Sequence, residues 1–289
     1  MRKLILFLFL LLFYSCGTKT NVEIKTIQDD LGKSFRFSEI PQRVVSLAPS
    51  ITESLYFIHA DKFLVGVTKY CDYPQDAKSK TIVGGMLDPN LEIIAKLNPD
   101  LILLTIEGNS QVTYKSLVDL GYNVFVLNPR SVDGVASTLD KLNQIFRTDV
   151  NSAITNAFKD DINKYSVKSE KKTYAGFLSV KPLISFNETT FLNDVFLKSG
   201  FRNSYAEEKL DYPSIMEEDL FLKDPYYLFV FSDTTAQSRK LITSEVELKF
   251  GKLKSVSQKR FFVLDENIFT RPGPRIINAL KYLSAFKDD

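Results

Sequence analysis

Few side chains in this sequence could do chemistry. The 289 residues hold one histidine, His59, and two cysteines, Cys16 and Cys71. No G-x-S-x-G elbow, H-E-x-x-H pair or phosphate-cradling P-loop occurs. His59 closes an apolar helical run and reads as a helix-end residue. The acid pairs Glu217-Glu218 and Asp160-Asp161 are adjacent, so on a helix they point apart and cannot share a proton. Cys71 lacks clustered co-ligands and reads as a small packed residue, not a metal ligand. The inventory therefore predicts no enzyme, no resident cofactor and no metal site. What remains are aromatic, amide and arginine side chains in short runs after apolar strands. Those runs suit recognition of a molecule.

The elements that must position these runs alternate in type. Apolar strands are predicted at 43–47, 63–67, 101–105 and 124–127, with helices near 50–58, 90–97 and 111–120. Strands alternating with helices predict a mostly parallel sheet covered on both faces. Ser50 and Glu53 have the spacing of a capping box, as do Ser214 and Glu217. Gly121 lies where a helix C-cap glycine is expected. Residues 131–164 carry apolar positions at helical spacing and no proline, which predicts a helix. A second lobe follows: strands at 174–179, 228–231 and 261–264, helices at 190–198 and 214–222, and a final helix at 276–286 with Pro274 in its first turn. In two-lobed α/β folds, ligands sit outside the carboxyl ends of the strands. That rule nominates 48–50, 68–73, 84–87, 106–108, 186–188, 211–212, 232–233 and 267–271.

The N-terminus reads as an export signal. Arg2 and Lys3 precede an unbroken apolar run, Leu4 to Phe13, too short to span a bilayer. Ser15-Cys16 then resembles a bacterial lipobox, although Phe13 and Tyr14 depart from its usual residues. Residues 1–15 are the expected lipoprotein signal peptide, with acylation (diacylglycerol and palmitate) at Cys16 giving a membrane anchor on the periplasmic or cell-surface side. Residues 16–40 are read as a tether and edge hairpin. With Cys16 acylated, Cys71 has no disulfide partner. The net charge of +2 is accounted for by Arg2 and Lys3, so the rest is neutral and predicts no nucleic-acid partner.

Four stretches carry a family resemblance: Arg43-Val-Val-Ser-Leu-Ala-Pro-Ser-Ile-Thr-Glu53, Gly66-Val-Thr-Lys-Tyr-Cys-Asp-Tyr-Pro74, Val83-Gly-Gly85, and Asn90-Leu-Glu-Ile-Ile-Ala-Lys-Leu-Asn-Pro-Asp-Leu101. In this order they resemble the cobalamin- and iron-siderophore-binding proteins of bacterial ABC importers, nearest the cobalamin branch. The resemblance runs from Pro41 to the C-terminus, and Arg271-Pro-Gly-Pro-Arg275 fits its ending. It implies an α/β protein of two similar lobes with mostly parallel sheets, 41–130 and 169–289, joined by one long backbone helix within 131–168.

By the same resemblance Pro49, Tyr70, Met86, Tyr212, Asn267 and Arg271 match corrinoid-contacting positions. Met86 and Tyr212 stand where some relatives carry tryptophan. Glu92 and Glu218, one per lobe, match positions that dock onto the permease, although helix-start carboxylates are also favoured by the helix dipole alone. The implied protein is a monomer that delivers a metal chelate, cobalamin-like, to a permease and ATPase complex. A ferric siderophore or haem is the rival ligand, and a non-transport surface lipoprotein the remoter alternative. An anionic siderophore would need a basic cleft, for which Arg271, Arg275, Lys181 and Lys69 are the candidates.

Overall fold

The computed structural model describes residues 26–147, 151–167 and 172–286. The expected signal peptide and Cys16 lie outside these residues. The edge hairpin is present: β1 (Thr26–Gln28) pairs antiparallel with β2 (Ser34–Arg36). Gly32, at φ +82°, takes the left-handed position of its turn.

The first lobe is a five-stranded sheet of β3 (Val44–Ser46), β4 (Leu64–Val67), β5 (Thr81–Ile82), β6 (Leu101–Thr105) and β7 (Val124–Leu127). The order is β5-β4-β3-β6-β7 and every pairing is parallel. β-Branched and leucine-rich strands buried on both faces produce this arrangement. Helices α1 (Pro49–Phe57), α2 (Leu91–Leu97) and α3 (Gln111–Asp119) connect them. Ile102 and Leu104 pack with Ile94 of α2 and Leu117 of α3, whereas Leu101 and Leu103 face α1. The side chains of Asn90 and Ser110 accept from Ile93 N and Thr113 N, which fixes where α2 and α3 begin.

Two helices follow, α4 (Val132–Phe146) and α5 (Asn151–Tyr165). The expected single bridging helix is therefore corrected. α4 stops at Arg147, whose φ of 47° is left-handed and cannot continue a right-handed helix. The two helices pack antiparallel, with Lys159 on Asp140 at 2.7 Å and Asn143 donating to Thr155 at 3.4 Å. Each still spans the molecule. The start of α4 is held by the second lobe, where Val132 N donates to Asp194 at 2.7 Å, and its other end by the hairpin, through Lys141–Asp30 and Arg147 donating to Phe37 O. α5 meets α1 through Phe158 against Phe57 and ends with Val167 N donating to Lys198 O.

The second lobe contains β8 (Thr173–Phe177), β9 (Ser179–Val180), β10 (Leu183–Ile184), α6 (Phe191–Lys198), β11 (Arg202–Asn203), β12 (Ser214–Ile215), α7 (Glu217–Lys223), β13 (Tyr227–Ser232), α8 (Ala236–Phe250), α9 (Lys254–Ser257), β14 (Phe261–Asp265), α10 (Glu266–Phe269) and α11 (Ile276–Ser284). Its main sheet, β11-β8-β13-β14, is parallel, and β12-β10-β9 forms a small antiparallel sheet beside it. One apolar core runs through both lobes, from Val44, Leu55 and Phe63 through Phe146 and Phe158 to Phe196, Phe229, Phe269 and Leu283. A shared core and a two-helix layer join the lobes, and moving the lobes apart would expose apolar surface.

Both expected capping boxes are absent. Ala48 is the N-cap of α1 with Pro49 at its first position, so Ser50 and Glu53 lie one turn inside. Ser214 is in β12, and Met216 precedes α7 with no side-chain cap. Pro274 also lies before the cap of α11, which is Arg275.

Candidate functional site

The carboxyl ends of the two parallel sheets face each other, and two charged clusters cross between them. Glu53, on α1 and only 2% exposed at its side chain, receives Arg275 at 2.6 and 2.8 Å and Arg271 at 3.2 Å. Arg271 also meets Asp72 at 2.7 Å. Backbones touch here too: a β-carbon on Gly273 would lie 3.4 Å from Ser50 Cα. Burial alone would lift the Asp72 carboxyl, but the hydrogen bond and charge of Arg271 outweigh it and hold Asp72 below its usual range. The stretch read as a capping box thus supplies a buried anion to the opposite lobe.

The second cluster is open to solvent. Arg130, just past β7, meets Glu107 of its own lobe at 3.3 Å and Asp211 of the other at 2.9 Å, with side-chain exposures of 41%, 32% and 45%. It also donates to Thr189 O at 3.1 Å. The Arg130 hydrogen bond, together with one from Thr189, holds the Asp211 carboxyl below its usual range. Next in sequence is Tyr212, whose phenol is pushed up to about 12 by burial and then by the charge of Glu107.

A chain of contacts and sequence neighbours leads from one cluster to the other. Tyr70, 49% exposed, has Lys69 Nζ 5.2 Å from its ring centroid. Lys69 reaches Gly85, where an added β-carbon would come within 3.6 Å of its side chain. Met86 follows; its methyl occupies the space beside Gly108, where a β-carbon would sit 2.1 Å from it. Gly108 adjoins Glu107, and Glu107 leads through Arg130 to Asp211 and Tyr212, itself 46% exposed.

Of the six residues expected to touch ligand, Tyr70, Met86, Tyr212 and Arg271 belong to this connected surface. Arg271 is engaged by Glu53 and Asp72 rather than free. Asn267 is half-buried in α10, and its carbonyl accepts from Arg275 at 3.1 Å. Pro49 is buried in the first turn of α1. Asn109 was not anticipated. It is buried, donates to Leu47 O and Met86 O at 3.0 and 2.7 Å, and accepts from Thr105 N at 2.9 Å, tying together the loops after β3, β5 and β6. An asparagine in a strand-end loop was the available signal.

Glu92 and Glu218 are both exposed, on α2 and α7, and neither forms an ion pair among the described residues. The neighbouring Glu217 is held by Lys249 at 2.9 Å. Cys71 is buried, with Thr52 and Thr68 hydroxyls each 3.2 Å from its sulfur, and burial pushes its thiol up. His59 ends α1 at φ 57°. A cavity of about 590 Å³ lies behind the Glu53–Arg275 pair, between α1, α5 and α11, walled by Tyr56, Phe57, Phe158 and Ile277. Tyr70, Met86 and Tyr212 do not line it.

Comparison with known proteins agrees with this architecture. The family described as "Periplasmic binding protein" matches residues 44–268. Vitamin B12-binding proteins of Yersinia pestis and Yersinia pseudotuberculosis are 30% identical over 251 residues, covering 85% of this chain and 86% of theirs. Among solved structures, the periplasmic vitamin B12 binding protein BtuF of Vibrio cholerae superposes with a TM-score of 0.75 at 25% identity, covering 84% of this chain and 95% of that one. A possible iron-binding (periplasmic solute-binding) protein of Staphylococcus epidermidis gives 0.72 at 27% identity, covering 85% and 98%. A periplasmic heme-binding protein of Roseiflexus shares the fold, at 0.73 and 18% identity, over 84% and 96%. With more than half its length matched by the family and two parallel-sheet lobes meeting at their strand ends, this chain belongs to the periplasmic binding protein family of solute receptors.

Proposed function

We propose that the protein is a lipid-anchored receptor that captures a corrinoid between its lobes and delivers it to an ABC importer. The observation that carries the ligand class is the charge state of the slot. Arg130, Arg271 and Arg275 are each held by the protein's own carboxylates. Beside them are the exposed Tyr70 and Tyr212 and the half-buried Met86, which offer ring faces and a polarizable thioether. Such a lining suits a bulky, electroneutral macrocycle with an amide rim. Haem, through its propionates, and catecholate or carboxylate ferric siderophores are anionic and would have to take an arginine from its partner, leaving a carboxylate unpaired. Lys69, beside Tyr70, is a cation outside these pairs. The Yersinia relatives named for vitamin B12 support the same choice.

Docking is assigned to Glu92 and Glu218. Both sit in the first turns of helices, at the edge where the strands end, one on each lobe. Exposed carboxylates of this kind add little stability but orient an encounter with a basic partner. Anchoring is assigned to Cys16 from the sequence.

The test is a binding panel. The chain has no tryptophan, so its emission comes from its 13 tyrosines, Tyr70 and Tyr212 among them. Quenching is expected to saturate at one cyanocobalamin per protein, with haemin and ferric siderophores binding more weakly. The reverse order of affinities would overturn the corrinoid assignment.

A further inference from the structure

Arg130 enters the binding surface derived above as one of its paired arginines and as a neighbour of Tyr212, and its position is unusual. One guanidinium is shared by two carboxylates from different lobes and by a carbonyl, Thr189 O. Asp211 is further fixed by Thr189 Oγ1 at 2.8 Å, and its own carbonyl accepts from Asn187 N at 3.0 Å. Among the described residues, Arg130 is the side chain that ties the segment presenting Tyr212 to the first lobe by hydrogen bond and ion pair. The counterpart cluster at Glu53 is buried, whereas this one is reached by solvent and by anything entering the slot.

We infer that Arg130 is a specificity-determining residue: it clamps the Tyr212 segment across the slot, and Glu107 and Asp211 mask its charge so that anionic chelates are rejected. The inference rests on the slot being the ligand site and deepens that reading. The site carries one cation against two carboxylates, so its net charge repels an anion. The same guanidinium without those carboxylates would be an anion-binding group, able to engage a carboxylate or catecholate oxygen through two N–H donors. Selectivity would then come from a repulsive element as much as from attraction.

The test compares four forms of the full chain: wild type, Arg130→Gln, Glu107→Gln/Asp211→Asn, and the triple variant. Each is titrated with an iron(III) tris-catecholate siderophore, a trianion, and with cyanocobalamin. The double variant, with Arg130 unmasked, should bind the trianion at least about tenfold more tightly than wild type, and the triple variant should lose that gain. If the double variant gains nothing, or the triple variant retains the gain, the inference is wrong. Amide exchange across 187–189 and 206–212 supplies a readout without ligand: it should accelerate several-fold in Arg130→Gln, and unchanged exchange would remove the clamp. If the exchange and trianion results hold but wild type ignores cyanocobalamin, the corrinoid reading falls and the role of Arg130 stands.

Discussion

Replacing Glu53 by glutamine tests how the two lobes are held together. The carboxylate is almost fully buried and accepts from two arginines of the opposite lobe at 2.6, 2.8 and 3.2 Å. Removing one partner of a buried ion pair costs about 3–5 kcal/mol, chiefly because the remaining charge is stranded. Here the stranding is partial. Arg271 keeps Asp72, and Arg275 keeps Asn267 O at 3.1 Å and its stacking on Tyr73, 4.3 Å from the ring centroid. Both arginine side chains are also 18% exposed, so water reaches them. The expected loss is therefore below that range, about 2–3 kcal/mol, or a fall in Tm of roughly 3–5 °C for a chain of this size. Urea unfolding of Glu53→Gln, Arg275→Met and the double variant closes a double-mutant cycle. The coupling should exceed about 1 kcal/mol, as for residues sharing a buried charge network. A coupling below about 0.3 kcal/mol would mean that the pair is incidental and that the lobes are held by the apolar core alone.

Other perturbations probe separate parts of the account. Gly66→Ala should destabilise by about 1–3 kcal/mol, because the new methyl would meet Leu97 Cδ1 at 2.6 Å and Val83 Cγ1 at 2.9 Å; a urea midpoint equal to wild type would contradict it. Glu92→Arg/Glu218→Arg should leave cyanocobalamin affinity intact and abolish uptake, measured with radiolabelled ligand in cells; persisting uptake would remove the docking assignment. The stabilising contribution of Asp72 should depend on pH. Its folded-state value is depressed by Arg271, so the contribution is present above the ordinary carboxylate value and is lost as pH falls through the lower folded one. The stability difference between wild type and Asp72→Asn should therefore be constant near neutrality and shrink only in acid. Asp194 and Glu266, lifted by burial, act in the opposite sense, which is why the difference between the two proteins is the quantity to follow.

The first lobe was readable because its signals are local. Leu101–Thr105 and Val124–Leu127 are short apolar runs bounded by turn residues, and both strands fall where predicted. Gly121 and Gly200 take the positive φ expected of residues ending helices. What escaped depends on contacts distant in sequence. Glu53 has capping-box spacing, but Pro49 shifts the helix start, and only the fold reveals the arginines more than two hundred residues away. Residues 236–250 form a long helix with only Val246 and Phe250 buried, so no apolar stripe announced it. The break after Phe146 lies at Arg147, where neither glycine nor proline marks the turn. At the candidate site, aromatic residues after strands were legible, whereas the pairing of Arg130 with acids of both lobes was not.

The most direct test of the corrinoid slot is a calorimetric titration of cyanocobalamin into wild type, Tyr70→Ala and Tyr212→Ala, one tyrosine from each lobe. One site per chain is expected, with a loss of roughly tenfold in affinity for each variant, about 1.4 kcal/mol apiece, in line with an aromatic contact removed from an apolar wall. Wild-type affinity in both variants, or no heat from the wild-type protein, would contradict it.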